Sequence, residues 1–344
     1  MKHPREFLLG AQAVAGLLPV CDHFSGVEQR MRKSLALQSE LTQEFGACVF
    51  DATLDCEDGA PVGGEREHAH MVTALAVEAA SAYRQAFEGI APRIAVRVHP
   101  LDHPAFEDDL CIILGGAGAQ LCHLMVPKVE SLREVERIVA RMDAFLPTAA
   151  AGSARLPLHV LLESPAAVHA AFDIAAHPRV QSISFGLMDF VSAHAGAIPG
   201  SAMSGAGQFT HPLVLRAKLE IASACHAHGK VPSHCVVTEF NDVTAVEQAA
   251  QTAARQLGYT RMWSIHPAQI RPILAAFAPQ AQEIELASRI IARARSVDWA
   301  PIDFAGQLHD RASYRFFWQI LERAHRTGQA LPVDSRQYFA TSPY

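Results

Sequence analysis

Short apolar runs alternate along most of this chain with longer segments of helical periodicity. A buried strand needs about four to eight apolar or β-branched residues, whereas an amphipathic helix repeats its apolar positions every three or four residues. Regular alternation of the two favours a parallel sheet whose strands are joined by crossover helices. The eight candidate strands are 34–37, 48–54, 93–98, 121–126, 156–162, 180–185, 235–238 and 262–265.

Eight strand–helix units of this kind favour one closed barrel over two domains. A single α/β barrel spans roughly 250 residues, and its strands are apolar because both of their faces are buried. An open dinucleotide-binding sheet would place a G-x-G-x-x-G motif after its first strand, and this sequence has none there. We therefore predict a (β/α)8 TIM barrel over residues 32–280, with an N-terminal arm (1–31) and a C-terminal helical lid or oligomerisation segment (281–344).

Composition and charge exclude several classes of protein. The chain has 344 residues, is 50% apolar and carries a formal net charge of −6. It contains no run of ~18 apolar residues, which argues against a membrane span, and no long basic block, which argues against a nucleic-acid partner. The seven cysteines have no C-x-x-C spacing, so we expect reduced thiols in a cytoplasmic protein.

Polar and charged side chains follow six of the eight candidate strands. In a (β/α)8 barrel the carboxyl ends of the strands meet at one mouth, where catalytic groups lie. We therefore expect the six segments to meet there. They are Asp55-Cys56-Glu57-Asp58-Gly59, Arg97-Val98-His99-Pro100, Pro127-Lys128-Val129-Glu130, Leu162-Glu163-Ser164-Pro165, Phe185-Gly186-Leu187-Met188-Asp189 and Ile265-His266-Pro267.

Glu163 and Asp189 follow adjacent strands and are the candidate metal ligands. Two carboxylates with water form a hard oxygen site suited to Mg²⁺ and leave coordination positions open for a substrate. Arg97 is suited to stabilising a developing enolate or binding a carboxylate. The simpler alternative for Glu163 is a negative charge at the start of the next helix, where it is favourable.

The order of these six segments resembles the HpcH/HpaI aldolase and citrate lyase β-subunit family, and most closely its citrate lyase β and malyl-CoA lyase branch. The resemblance covers roughly residues 32–296. It implies a Mg²⁺-dependent barrel enzyme that acts on carbon–carbon bonds, commonly as a homotrimer or hexamer. It also implies that Glu163 and Asp189 bind the metal and that Arg97 binds substrate. The acidic cluster Asp55, Glu57 and Asp58 would lie near the metal and hold its waters.

Two further segments bear on this resemblance. Gly306-Gln307-Leu308-His309-Asp310 is similar to the lid of malyl-CoA lyases, in which an aspartate at this spacing enters the next subunit's active site as acid/base. Asp310 is also a good N-cap for the helix that follows it. The family's first strand usually begins Arg-Arg-Ser, whereas this chain has Arg32-Lys33-Ser34. The sequence therefore does not decide how this chain would bind a thioester. We expect Arg32 and Lys128 to contact substrate.

The expected function is a Mg²⁺-dependent lyase that cleaves a β-hydroxyacyl thioester into a 2-oxo acid and an acyl-thioester enolate. The thioester would be one of coenzyme A or of an acyl carrier, and the protein would be a homo-oligomer with no nucleic-acid or membrane partner. Two alternatives remain open from the residues. One is a Mg²⁺-dependent aldolase acting on free 2-oxo or hydroxy acids, and the other is a non-catalytic scaffold subunit of a lyase complex.

Overall fold

Eight parallel strands close into a barrel in chain order, which confirms the predicted fold. The computed structural model describes residues 3–10, 18–146 and 155–339; the predicted N-terminal arm and C-terminal segment both extend beyond these ranges. The barrel strands are β1 (Cys21–Ser25), β2 (Phe50–Asp55), β3 (Ile94–Arg97), β4 (Leu121–Val126), β5 (Leu158–Leu162), β6 (Val180–Phe185), β7 (Val231–His234) and β8 (Arg261–Ser264).

Helices cover the outside of the barrel and form a separate C-terminal unit with a two-stranded sheet, β9 (Ile302–Phe304) and β10 (Gln307–His309). The helices that follow the first four barrel strands, together with the N-terminal helix, are α1 (Pro4–Leu9), α2 (Glu28–Phe45), α3 (Glu65–Ala86), α4 (Phe106–Asp109), α5 (Gly115–Ala117) and α6 (Leu132–Phe145). The remainder are α7 (Pro165–His169), α8 (Ala171–Ala176), α9 (Leu187–Ser192), α10 (Pro212–Ala227), α11 (Val243–Gln256), α12 (Ile270–Phe277), α13 (Ala281–Ser296), α14 (Arg311–Arg326) and α15 (Val333–Arg336).

The first strand lies earlier than predicted. Residues 34–37 belong to α2, whose buried positions Met31, Leu35, Gln38 and Leu41 recur every three or four residues. The barrel instead begins at Cys21, within the segment that we assigned to the N-terminal arm, and Cys21 pairs with Phe50 on one side and Met262 on the other. The prediction was wrong because this strand reads Cys-Asp-His-Phe-Ser and has little apolar character.

The seventh strand was also misplaced. It spans Val231–His234, whereas the predicted strand at 235–238 is the segment that leaves it at the mouth. Both segments are short and partly polar, so period and composition alone do not distinguish them. The other six predicted strands overlap those of the structure.

A buried ionic layer explains the polar character of β1. Within the barrel, Arg261 Nη2 lies 2.7 Å from Asp22 and 2.5 Å from Asp51. The same guanidinium donates through Nη1 to the carbonyl of Pro19 at 2.9 Å. All three charged side chains are fully buried. The ion pairs therefore connect β8 to β1 and β2 across the point at which the barrel closes.

The C-terminal unit packs at the amino end of the barrel. Arg326 in α14 donates to the carbonyl of Leu18 at 3.2 Å, and Leu18 lies three residues before the first strand. The core of this unit includes Leu8 of α1 with Tyr314 and Trp318 of α14. Within one chain this unit therefore does not cover the mouth at the carboxyl end, and its role as a lid for a neighbouring chain stays a prediction. No described helix is long and apolar enough to cross a membrane.

Replacing Arg261 with methionine should lower the free energy of unfolding by about 3–5 kcal/mol, because the buried Asp22 carboxylate would lose its ion pair. Asp51 would retain its pair with Arg93. Urea denaturation measures the effect. Arg271→Met is the control, since Arg271 pairs with Glu44 on the surface and should leave the midpoint nearly unchanged. Equal midpoints for the two variants would contradict a structural role for the buried layer.

Stability should fall as the pH is lowered from about 6.5 to about 3. His159 is fully buried and stacks on His123 with ring centroids 3.5 Å apart. Burial lowers the pKa of His159 to about 3. An unfolded histidine takes up its proton near pH ~6.5, so acid favours the unfolded state by up to about 1.4 kcal/mol per pH unit for this residue. Denaturation at stepped pH should show a shallower slope for His159→Gln, and an identical slope would refute the assignment.

Candidate active site

Glu163 and Asp189 meet at the mouth of the barrel, as their positions in the sequence predict. Glu163 directly follows β5 and is 6% exposed. Its Oε1 accepts a hydrogen bond from the backbone N–H of Lys128 at 2.8 Å. Asp189 lies in the first turn of α9, after β6, and is exposed to the mouth. Both residues line each of two cavities, of about 760 and 580 Å³, so they lie where the cavities meet.

Gly186 allows the Glu163 carboxylate to approach the end of β6. A Cβ atom at position 186 would lie 2.5 Å from Glu163 Cβ and 2.6 Å from Oε2. Real side chains do not approach so closely, so a larger residue here would displace the carboxylate. The glycine before α9 therefore leaves the space that the Glu163 carboxylate occupies.

The electrostatics of the mouth suit a cation. Burial, together with the neighbouring carboxylates Asp189 and Glu57, raises the pKa of Glu163 to about 8. Burial likewise raises the pKa of Glu57. Carboxylates held together against their mutual repulsion are stabilised by a hard divalent ion with oxygen ligands. The residues present thus fit Mg²⁺, which Glu163 and Asp189 would hold.

A second group of possible ligand atoms lies inside the barrel but does not suit a metal. Asp22, His123 and His159 bring their ligand atoms within 4.8 Å of one another. The two imidazole rings are nearly parallel, with an interplanar angle of 12°, so their in-plane lone pairs do not converge on one point. Arg261 already lies 2.7 Å from Asp22 Oδ2 and opposes a further positive charge.

Arg97 is held by the acidic cluster at the end of β2. Nε lies 2.7 Å and Nη2 lies 2.6 Å from the Asp55 carboxylate oxygens. Nη1 lies 2.7 Å from Glu57, and Nη2 lies 2.7 Å from Asp58. Asp55 and Asp58 thus accept from three of the five guanidinium N–H groups, while Nη1 forms an ion pair with Glu57 and keeps an N–H for a ligand. In the structure, Asp55, Glu57 and Asp58 therefore orient Arg97, a role that the sequence did not indicate.

Lys128 lies at the mouth in a left-handed conformation, with φ of 56°. Its backbone N–H donates to Glu163, and its Nζ lies 2.8 Å from Glu57. Glu57 thus bridges Lys128 and Arg97. The predicted substrate contact by Lys128 is not tested, but the residue connects the two acidic groups of the site.

Arg32 lies outside the mouth, contrary to its predicted position beside the substrate. It is exposed on α2, where it pairs with Glu28 at 2.9 Å and with Glu78 at 3.5 Å. Arg30 and Lys33 line the larger cavity instead. The difference follows from the misplaced first strand. Because this segment is helical, Arg30 and Lys33, which are three residues apart, share a face of α2 that Arg32 does not.

Asp310 lies in the C-terminal unit and caps α14. Its Oδ1 accepts hydrogen bonds from the backbone N–H groups of Ala312 at 3.0 Å and Ser313 at 3.3 Å. The residue is exposed. The predicted N-cap role is therefore present, while its predicted acid/base role requires the mouth of another chain.

The two cavities differ in charge. Both are lined by Glu163 and Asp189. The larger one adds the cations Arg30, Lys33 and Arg97 and the acids Asp55 and Asp58, whereas the smaller one adds Lys128 and the acids Asp102, Glu130 and Glu134. The larger cavity is therefore the less acidic of the two. Its floor is the stacked pair Phe24 and Trp263, with ring centroids 4.6 Å apart. The sequence alone does not single out Arg30, Lys33 and Phe24, because Phe24 lies on the first strand and the other two on the helix that follows it, where a strand was predicted.

Comparison with known proteins agrees with this geometry. The model of the HpcH/HpaI aldolase/citrate lyase family matches residues 37–267. The chain belongs to this family. Over 244 residues it is 28% identical to the L-malyl-CoA/beta-methylmalyl-CoA lyase of Rhodobacter capsulatus, which covers 67% of the chain and 76% of the relative. A (3S)-malyl-CoA thioesterase of Cereibacter sphaeroides is 28% identical over 261 residues, which is 76% of the chain and 79% of the relative.

Solved structures show the same architecture. A citrate lyase from Burkholderia xenovorans is 46% identical, with a TM-score of 0.78, over 98% of this chain and 99% of that one. The protein CitE from Mycobacterium tuberculosis, in complex with magnesium, acetoacetate and coenzyme A, is 20% identical with a TM-score of 0.61. That likeness covers 90% of this chain and 99% of CitE, and it shows a shared fold.

Gly186→Ala should abolish most Mg²⁺ binding, because the added methyl group would displace the Glu163 carboxylate. Isothermal titration calorimetry measures the affinity, and thermal unfolding monitors the fold. Gly115→Ala is the matched control: Gly115 is helical, and an added Cβ meets nothing within 4 Å. Equal Mg²⁺ affinity in both variants would show that the approach to Glu163 is not needed for the site.

Proposed function

We propose that this protein is a Mg²⁺-dependent lyase that cleaves a β-hydroxyacyl thioester into a 2-oxo acid and an acyl-thioester enolate. The observation that supports this most is the Glu163–Asp189 pair at the junction of two cavities, with Arg97 held in the same mouth. A two-carboxylate site leaves room for the oxygens of a 2-oxo acid. Membership of a lyase family supports the same conclusion.

In this proposal Glu163 and Asp189 hold the metal, and Arg97 stabilises the charge that develops on the substrate. Magnesium, when bound at Glu163 and Asp189, would supply positive charge to the carboxylate and carbonyl oxygens of the 2-oxo acid. Arg97 would stabilise the enolate oxygen through its remaining Nη1–H, and its bonds to Asp55 and Glu57 fix the direction of that donor. Such preorganised donors lower the barrier because they need no rearrangement as charge develops.

We further propose that Asp310 transfers the proton in the mouth of a neighbouring subunit. It is exposed, and its own barrel mouth lies at the opposite end from the C-terminal unit that contains it. The arrangement requires a homo-oligomer, which we propose is a trimer or hexamer. We propose a cytoplasmic location, because all seven cysteines are free thiols.

The deciding assay supplies the purified protein with Mg²⁺ and L-malyl-CoA and measures both 2-oxo acid and acyl thioester. Equal release of the two supports the proposal. Loss of thioester without a 2-oxo acid would indicate hydrolysis, as the name of the Cereibacter relative states for that protein. Cleavage of free 4-hydroxy-2-oxo acids alone would indicate the aldolase, and no turnover of any of these substrates would favour a scaffold subunit.

Glu163→Ala should lose both Mg²⁺ binding and turnover, the latter by at least about a hundredfold, because one of two proposed metal ligands is removed. Calorimetric titration and the coupled assay measure the two losses. Glu130→Ala is the control, since Glu130 is an exposed acid that lines only the smaller cavity. Undiminished Mg²⁺ affinity in Glu163→Ala would contradict the metal assignment.

Asp310→Ser separates the capping role from the proton transfer. Serine caps a helix about as well as aspartate, so the fold should persist while turnover falls by at least about a hundredfold, as general acid–base catalysis is worth ~10²–10⁴. Mixed oligomers of Asp310→Ser and Glu163→Ala chains should regain part of the activity, because some mouths would combine intact residues of both. Full activity in Asp310→Ser would refute the catalytic role.

A further inference from the structure

A buried lysine and a buried cysteine meet at the wall of the larger cavity. Lys218 of α10 is fully buried, and Cys235, which follows β7 and lines the cavity, is 1% exposed. Both side chains donate to one acceptor, Gln208 Oε1, with Lys218 Nζ at 2.6 Å and Cys235 Sγ at 3.0 Å. The amine and the thiol are therefore neighbours, although neither has a part in the proposed lyase chemistry.

The surroundings of Lys218 favour its neutral amine. Nζ lies 4.1 Å from the centroid of the Phe209 ring, and within the described ranges no carboxylate forms an ion pair with it. Burial lowers the pKa of Lys218 to about 8, so a large share of the amine is unprotonated at pH ~8. A neutral amine can accept the thiol proton and can act as a nucleophile, whereas an ammonium group can do neither.

A histidine ring beside the sulfur is not a competing nucleophile. His234 Nδ1 lies 3.9 Å from Cys235 Sγ and 3.0 Å from the Cys235 carbonyl oxygen. Because a carbonyl oxygen only accepts, Nδ1 carries its proton there and has no lone pair to offer. The ring is held in this position by stacking on Phe209, at an interplanar angle of 2°. Lys218 therefore supplies the nucleophilic nitrogen of this cluster.

We propose that Cys235 and Lys218 form a covalent sulfur–nitrogen bridge when hydrogen peroxide enters the larger cavity. Lys218 takes the proton of the thiol, and the thiolate attacks one peroxide oxygen. The O–O bond breaks, and the departing hydroxide leaves as water with the proton that Lys218 held. The Lys218 amine then attacks the sulfenic sulfur and displaces its hydroxyl group, which leaves as a second water with one amine proton. The sulfur is oxidised by two electrons, and the peroxide is reduced to water.

The bridge would protect the thiol from further oxidation and fix the cavity wall to α10. The enclosed sulfur is out of reach of glutathione and other large thiols, so the adjacent amine is the group that can trap a sulfenic acid before it is oxidised to sulfinic acid. Gln208 extends the connection, because its Nε2 donates to the carbonyl of Val236, the next residue of the wall, at 3.5 Å. An oxidant would thus alter the wall of the cavity reversibly, since a dithiol cleaves the sulfur–nitrogen bond.

Mass spectrometry of the full chain after treatment with hydrogen peroxide tests the proposal. Remaining thiols are alkylated under denaturing conditions, and trypsin then cleaves after Lys230, between the two residues. We expect a linked peptide pair that has lost two hydrogen atoms, with Lys218 uncleaved and Cys225 alkylated, which distinguishes the bridge from a disulfide between Cys225 and Cys235. Excess dithiothreitol should release both peptides. A sulfinic acid, a disulfide or an unmodified thiol at Cys235 would overturn the proposal.

Two variants assign the nitrogen and control for the fold. Lys218→Met keeps an unbranched side chain but removes the amine, so the linked pair should be lost and Cys235 should become sulfinic acid. Cys56→Ser is the control, because Cys56 is buried and follows β2 at the same end of the barrel, with the acids Asp55 and Asp109 nearby in place of a lysine. This variant should form the bridge as the wild type does. Equal amounts of sulfinic acid at Cys235 in the wild type and Lys218→Met, or loss of the bridge in Cys56→Ser, would overturn the assignment.

Discussion

The repulsion between buried carboxylates is the constraint around which the mouth of this barrel is built. Glu163 is held beside Asp189 and Glu57, and its pKa is raised to about 8 by burial and by these neighbours. The neighbouring groups either offset this repulsion or keep the carboxylates in place. The backbone of Lys128 donates to Glu163, its side chain neutralises Glu57, and Gly186 leaves room for the carboxylate. Such a site is unfavourable without a cation and well suited to one.

The two ends of the barrel have different tasks. The carboxyl end carries the acidic pair, Arg97 and both cavities. The amino end carries the C-terminal unit, which is connected to the barrel through Arg326 and Leu18. Asp310 is therefore remote from the chemistry of its own chain, and a catalytic role for it depends on assembly. The same separation leaves the mouth of a single chain open to solvent on the side of Arg30 and Lys33.

The sequence predicted the barrel and the mouth better than it predicted the first strand. Motifs such as Leu162-Glu163-Ser164-Pro165 follow apolar strands. The apolar run of the strand ends there and polar residues begin, so the sequence locates Glu163 at the end of the strand. Strand Cys21–Ser25 carries Asp22, whose burial depends on Arg261 some 240 residues away along the chain. No local pattern reveals such a partner, so Arg32 was chosen in place of Arg30 and Lys33. The orientation of Arg97 by three acids is likewise a product of tertiary structure.

A crystal structure of the protein with Mg²⁺ and pyruvate would show whether Glu163 and Asp189 form the metal site. We expect one ion bonded to the carboxylates of Glu163 and Asp189 and to the carboxylate and carbonyl oxygens of pyruvate, with water in the remaining positions and the pyruvate methyl group directed toward the larger cavity. This expectation would be contradicted by an ion bound elsewhere with this pair vacant, or by pyruvate bound away from Glu163 and Asp189.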